Sequence, residues 1–293
     1  MPVALLTLVC LSLATLCVAV FPIVLYRCLR RPYALNWRDT VAGIAVFALF
    51  AMVLERALNG YVLYQNATTA AWLSNPLTFV LYGALVAGLC EEVGRYLALR
   101  LIWRRAGTTP LKPLSRPVST PLPGAAASTA TATLSTVRGN DITALAYGIG
   151  HGGAEVWLVG VLVQVQWIVF AVLANRQQLD GHLSDLSLEM LMRIHLILAS
   201  LSPLTAGVFV LERLAALVFQ IGLSVLMWRG VRAGWRGVLP LAIGAHALID
   251  VPAAMVQARL LPLLVADGLY VLVALGVAGW LIALYRQPQQ RAQ

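Results

Sequence analysis

The sequence Cys-Glu-Glu-Val-Gly-Arg at residues 90–95 interrupts an apolar run that is otherwise long enough to cross a bilayer. It places Glu91, Glu92 and Arg95 where a membrane-spanning helix is normally apolar. A charged side chain near the bilayer centre costs roughly 3 kcal/mol on insertion scales. Two adjacent carboxylates at this depth therefore predict polar partners elsewhere in the chain, or a chemical function.

The composition of the whole chain also indicates a membrane protein. Of its 293 residues, 60% are hydrophobic and 11% are charged, whereas about 25% of residues are charged in soluble domains. The net charge of +9 does not indicate nucleic-acid binding, because the basic residues lie in short segments between apolar runs. Abundant Ala, Leu and Arg beside a single Lys favour a bacterial source. We predict an integral protein of the bacterial plasma membrane, with membrane lipid around it and no nucleic-acid partner.

Apolar runs of about 20 residues, the length that crosses a bilayer as a helix, occur seven times. We therefore predict an all-α, polytopic fold in which residues 1–293 form one transmembrane domain. Asp39 is a candidate N-cap of the second span, and Asn59 with Gly60 predicts a polar connection after it. The predicted spans are residues 3–26, 39–58, 77–103, 142–174, 203–228, 237–257 and 264–285.

Residues 104–139 differ from the spans, because they are rich in Pro, Ser, Thr and Ala and carry basic side chains without an acid. This composition is typical of a flexible loop. Asn140 and Asp141 are candidate caps of the fourth span, and Ser202 before a proline predicts the start of the fifth. Residues 175–200 are mixed polar and amphipathic, which favours a position at the outer interface.

The basic residues predict the orientation, because loops rich in Lys and Arg stay in the cytoplasm. If the N-terminus is outside, 14 of the 21 basic residues lie in cytoplasmic segments and three lie outside. We therefore predict an outer N-terminus, a cytoplasmic C-terminus and a cytoplasmic loop at residues 104–139. The 14 are Arg27, Arg30, Arg31, Arg38, Arg104, Arg105, Lys112, Arg116, Arg138, Arg229, Arg232, Arg236, Arg286 and Arg291, and the three are Arg176, Arg193 and Arg259.

Two other spans carry polar pairs at helical spacing. His151 and Glu155 are four residues apart in the fourth span, as are His246 and Asp250 in the sixth, so each pair shares one helix face. With a rise of 1.5 Å per residue, Glu92 lies ~18 Å from the inner end of its helix, both histidines ~15 Å, and Glu155 and Asp250 ~21 Å. The three helices are therefore predicted to form one polar layer.

Single members of this layer also have structural explanations. Arg95, four residues after Glu91, is predicted to keep that carboxylate ionised and oriented. Glu212 and Gln220 in the fifth span either pack or support the layer. The Glu-Arg pair at residues 55–56 lies near the outer interface and is predicted to be solvated or to snorkel toward water.

The complete set favours hydrolysis by activated water, by a carboxylate base with a histidine or on a divalent metal. No Ser or Cys nucleophile with a base at a diagnostic spacing and no Walker-type loop occurs in the sequence. The alternatives are a transporter or channel with a proton or ion relay, and a non-catalytic scaffold. The candidate catalytic residues are Glu91, Glu92, His151, His246 and Asp250, and the candidate supporting residues are Arg95, Glu155, Glu212 and Gln220.

Three motifs in this order resemble the YhfC family of intramembrane metalloproteases. They are Glu-Glu-x-x-Arg at 91–95, Gly-x-Gly-His-Gly-x-x-Glu at 148–155 and His-x-x-x-Asp at 246–250. That family is related to the CAAX prenyl endopeptidases, the bacteriocin-processing enzymes and the PrsW proteases. The resemblance implies that Glu91 or Glu92 polarises water with His151.

The resemblance also implies that the His246 motif stabilises the oxyanion or binds a metal. CAAX endopeptidases usually have one more residue before the Arg, and Asn at the position of Asp250. Because an ionised Asp250 would repel an oxyanion, it must be protonated, paired with His246 or bound to metal. Two His and one carboxylate form a familiar zinc site. The candidate ligands for zinc or another divalent metal are His151, His246 and Asp250 or Glu155, with a metal-free mechanism as the alternative.

We therefore predict an intramembrane endopeptidase, of metallo- or glutamate type, with Glu92 preferred over Glu91 as the base that activates water. Its substrate is a membrane-associated peptide or protein that reaches the polar layer laterally or from the inner face.

Overall fold

The computed structural model describes residues 2–108 and 141–290. These residues form helices and no strands. The helices are α1 (Leu5–Arg30), α2 (Trp37–Gln65), α3 (Ala67–Trp72), α4 (Pro76–Thr108), α5 (Ile142–Asn175), α6 (Leu179–His182), α7 (Leu188–Ser200), α8 (Pro203–Arg232), α9 (Val238–Gln257) and α10 (Leu263–Gln290).

Seven of these helices, α1, α2, α4, α5, α8, α9 and α10, are long and apolar enough to cross a membrane. The all-α, seven-span prediction is thus confirmed. Two spans change pitch beside a carboxylate. A π-helical segment of α2 ends at Glu55, and one in α5, Val156–Val161, begins directly after Glu155. Such π-helical turns are frequent at functional sites.

The boundaries of α2 differ from the prediction at both ends. Asn36, not Asp39, caps the helix, and its Oδ1 accepts a hydrogen bond from the Arg38 N–H at 3.1 Å. Asn59 lies inside the helix, because a second π-helical segment, Tyr61–Gln65, carries α2 past the predicted connection. The break occurs at Asn66, which caps α3 by accepting from two backbone N–H groups.

The start of α8 is as predicted. Ser202 and Thr205 form a capping box, in which each side chain binds the other residue's backbone N–H. Asp141 occupies the predicted N-cap position of α5, but its side chain makes no capping hydrogen bond. Its carboxylate instead accepts hydrogen bonds from Arg229 at 2.7 Å and Arg232 at 3.2 Å. This ion cluster ties the start of α5 to the end of α8.

The predicted loop at residues 104–139 begins too early, because α4 continues through Thr108. Residues 109–140, including Asn140, lie outside the described residues. The segment at 175–200 forms the short α6 and the amphipathic α7, and Ser187 caps α7. Its place at the outer interface stays a prediction, as does the orientation of the termini.

Glycines bring α2 and α5 into backbone contact. A Cβ at Gly43 would lie 2.2 Å from the Tyr147 carbonyl oxygen, and one at Gly150 would lie 2.0 Å from that of Thr40. No side chain fits at either position, so the two helices can pack at this distance only with glycine. This contact orients the side chain of His151, one residue after Gly150, toward the interior of the bundle.

The two ends of the bundle differ. We call the end where α4 stops and α5 starts the loop end, and the end where α2 stops and α4 starts the α3 end. Toward the loop end, a cluster of buried side chains fills the space between α4, α5, α8 and α9. This loop-end core consists of Leu99, Ala144, Tyr147, Val225, Met227, Trp228, Val238 and Ala242.

Candidate active site

The two adjacent glutamates of α4 have different partners. The Glu91 carboxylate oxygen Oε2 lies 3.0 Å from Nε2 of His151 on α5. The same oxygen accepts a hydrogen bond of 3.0 Å from Nε2 of Gln220 on α8. Glu91 therefore joins α4 to α5 and α8.

Glu92 is completely buried and faces α9. Its Oε1 lies 2.8 Å from Nδ1 of His246 and 3.3 Å from Nη1 of Arg95. The predicted ion pair between Arg95 and Glu91 is therefore wrong, because Arg95 pairs with the residue three positions before it. Arg95 also donates to the side chain and the backbone oxygen of Gln220.

Gln220 lies at the centre of the polar layer. Besides Glu91, its Nε2 donates a 2.7 Å hydrogen bond to Glu155 on α5, and Glu155 lies 3.9 Å from the Arg213 guanidinium. On α9, Nε2 of His246 lies 3.5 Å from the Asp250 carboxylate. The His-Glu and His-Asp spacings thus predicted correctly which helix faces meet in the layer. Most contacts within the layer, however, join side chains of different helices.

A cavity of about 400 Å³, the central cavity, lies on one side of this layer. Glu92, Arg95 and His151 do not line it and form the buried back of the layer. The predicted site residues on its wall are Glu91, Glu155, Glu212, Gln220, His246 and Asp250.

The sequence prediction missed Glu55, which lines the central cavity instead of a solvated surface. Its Oε1 accepts a 3.3 Å hydrogen bond from Asn59, whose Oδ1 accepts a 2.7 Å hydrogen bond from Tyr82 of α4. Because α2 extends to Gln65, Glu55 lies ~15 Å inside that helix end. In the sequence, the apolar residues 61–63 that follow Gly60 indicate this longer span.

The model of the family described as YhfC intramembrane metalloprotease matches residues 17–110 and 133–271. The chain belongs to the YhfC family. A relative from Bacillus subtilis (strain 168), described as the uncharacterized membrane protein YhfC, is 30% identical over 241 residues, which is 80% of each chain. No solved structure gives a significant match. The resemblance seen in the three motifs is thus confirmed, and the chain is an integral membrane protein with a bacterial relative.

The description of the YhfC family implies a bound metal ion. The side chains of the polar layer, as they are arranged, do not form a binding site for such an ion. Among the described residues, no three His, Cys, Asp or Glu side chains form a group that could hold a metal ion. The donors form separate sets instead, His151 with Glu91, and His246 with Glu92 and Asp250. The predicted ligands His151, His246, Asp250 and Glu155 are therefore not assembled into one centre.

Proposed function

We propose that this YhfC-family protein is an intramembrane endopeptidase in which Glu91 activates the hydrolytic water. The observation that carries the proposal is the different position of the two glutamates. Glu91 reaches the central cavity, whereas Glu92 is completely buried between Arg95 and His246. This assignment replaces the sequence-based preference for Glu92.

Glu91 has the environment of a positioned general base. His151 and Gln220 both contact Oε2, which leaves Oε1 available to a water molecule in the cavity. In the proposed reaction the Glu91 carboxylate takes a proton from this water as the oxygen attacks the scissile carbonyl carbon. The resulting carboxylic acid then donates the proton to the leaving amine, so that the C–N bond breaks and Glu91 is regenerated.

His246 has the position of an oxyanion donor. Glu92 accepts the hydrogen bond of its Nδ1–H, and Nε2 is directed toward the cavity side of the layer beside Asp250. In the proposed mechanism a protonated His246 donates its Nε2–H to the tetrahedral oxyanion. Without substrate, Asp250 is the ion-pair partner of this Nε2, at 3.5 Å. A fixed donor of this kind is effective because it needs no reorganisation during the reaction.

The loop-end core supports a hydrolase over a proton or ion relay. A relay across the membrane needs polar groups or water on both sides of the layer. Toward the loop end, Tyr147, Val225 and Met227 are completely buried in an apolar cluster. The central cavity is therefore closed by packed side chains on the side of the loop end, as expected for a site where water and a substrate meet.

The test compares new protein N-termini in membranes that contain the wild type or Glu91→Gln. General-base catalysis typically contributes 10²- to 10⁴-fold, so we expect cleavage products to fall at least about 100-fold. Glu189→Gln is the matched control, because Glu189 is exposed on α7 and, among the residues that the structure describes, its ion-pair partner is the equally exposed Arg193. The same set of N-termini in all three membranes would contradict a protease. Loss of coupled proton flux in Glu91→Gln, without any cleavage by the wild type, would favour the relay.

A further inference from the structure

A second cavity of about 340 Å³, the access cavity, lies beside the central cavity between α2, α4 and α9. Both cavities are lined by Glu55, Ala87, Asp250 and Ala253, so they meet at these residues. From there the access cavity extends to Gln257, the last residue of α9. The two cavities together lead from the α3 end of the bundle to Glu91.

The opposite route is closed by packing. The loop-end core occupies the space between the polar layer and the loop end, and Leu99, Tyr147 and Val238 within it are completely buried. The Arg229–Asp141 ion pair lies beyond this core, at the loop end itself. A hydrophilic molecule can therefore approach the layer more easily from the α3 end.

The lining of the access cavity suits a polypeptide. Tyr82, Asn59 and Glu55 form a hydrogen-bonded row along one side, and Gln257 adds an amide at the mouth. These groups can pair with the N–H and C=O groups of an extended chain, which must be satisfied away from water. At Gly83, a Cβ would lie 3.8 Å from the Cβ of Ala254, an ordinary contact distance, so a small side chain can be accommodated in this wall.

We propose that the access cavity is the substrate-binding channel, which receives an extended, hydrophilic polypeptide segment from the α3 end and delivers its scissile bond to Glu91. The proposal rests on the proposed protease function. With the orientation predicted from the basic residues, the α3 end faces outside the cytoplasm. The substrate class is therefore membrane-anchored or exported proteins that are cut on the outer side, in contrast to the lateral or inner-face route expected from the sequence.

The test introduces a single cysteine at Gly83 in a variant whose four native cysteines, Cys10, Cys17, Cys28 and Cys90, are replaced by alanine. A charged, membrane-impermeant methanethiosulfonate reagent is added outside intact cells. Gly207→Cys is the matched control, because Gly207 lies near the same end, in the first turns of α8, and is exposed on the bundle surface with open space at its Cβ. Neither substitution alters the polar layer.

We expect Gly83→Cys to react at least about tenfold faster than Gly207→Cys, because the thiolate is the reacting form and needs water around it. The attached reagent should then lower cleavage by Gly83→Cys and leave cleavage by Gly207→Cys unchanged. Equal labelling rates, or faster labelling of Gly83→Cys in inverted vesicles, would overturn the proposal. Labelling needs no substrate, so its outcome is separate from the Glu91→Gln test of the protease function.

Discussion

Glu92 and Arg95 place opposite charges one helical turn apart in a completely buried part of the membrane domain. Burial of two charges is costly, and removing one partner leaves the other charge unpaired. Arg95 has two further contacts, both to Gln220, which carries no charge to replace Glu92. We propose that the pair positions His246, which shares Oε1 of Glu92.

We predict that Glu91 and Glu92 contribute differently to the stability of the fold. Glu92→Gln should lower the free energy of unfolding by about 3 kcal/mol, because it leaves the buried Arg95 charge without a counter-charge. Glu91→Gln should change stability much less, because its partners His151 and Gln220 need no counter-charge. Thermal unfolding of both variants in detergent measures the difference. A larger loss in Glu91→Gln would contradict the assignment.

A double variant provides the control for this prediction. Adding Arg95→Gln to Glu92→Gln removes the unpaired charge, so stability should partly recover. Further loss of stability in the double variant would show that Arg95 acts through its contacts with Gln220 instead.

The sequence predicted the members of the polar layer but not all of their pairs. Arg95 is four residues after Glu91 and three after Glu92, and both spacings bring side chains together on a helix. Which of the two glutamates pairs with Arg95 depends on the rotation of α4 about its axis relative to α8 and α9. Packing between residues distant in sequence determines that rotation. Glu55 was missed for a related reason, because Asn59 and Gly60 usually end a helix, whereas π-helical turns carry α2 to Asn66.

The contact of α2 with α5 holds His151 in the polar layer. We predict that Gly43→Ala separates these helices, because the new Cβ would lie 2.2 Å from a backbone oxygen of Tyr147. Both folding stability and cleavage should fall, the latter because His151 moves away from Glu91. Gly60→Ala in the same helix is the control, since its Cβ would meet nothing within 4 Å.

The thermal unfolding temperature and the cleavage rate report this effect together. Alanine favours a helix over glycine by about 1 kcal/mol, so Gly60→Ala should be neutral or slightly stabilising. A Gly43→Ala protein as stable and active as the wild type would contradict the close contact of the two helices.

The two ends of the helix bundle differ in how their interiors are packed. Toward the loop end the interior of the bundle is apolar and packed, and the Asp141 ion cluster links α5 to α8 at that end. The α3 end contains the access cavity, with polar side chains from α2, α4 and α9. The chemistry proposed for Glu91 is the same whichever end faces the cytoplasm, but the substrates that it can meet are not.

The substrates of the proposed protease therefore depend on the orientation of the bundle in the membrane. The excess of arginine at the loop end predicts that this end and the C-terminus are cytoplasmic. We expect an epitope tag inserted at Asp185, between α6 and α7, to bind antibody on intact cells, and a C-terminal tag to bind only after permeabilisation. The reverse pattern would contradict this orientation. It would direct the access cavity to the cytoplasm and make cytoplasmic segments the substrates, while the role of Glu91 would stand.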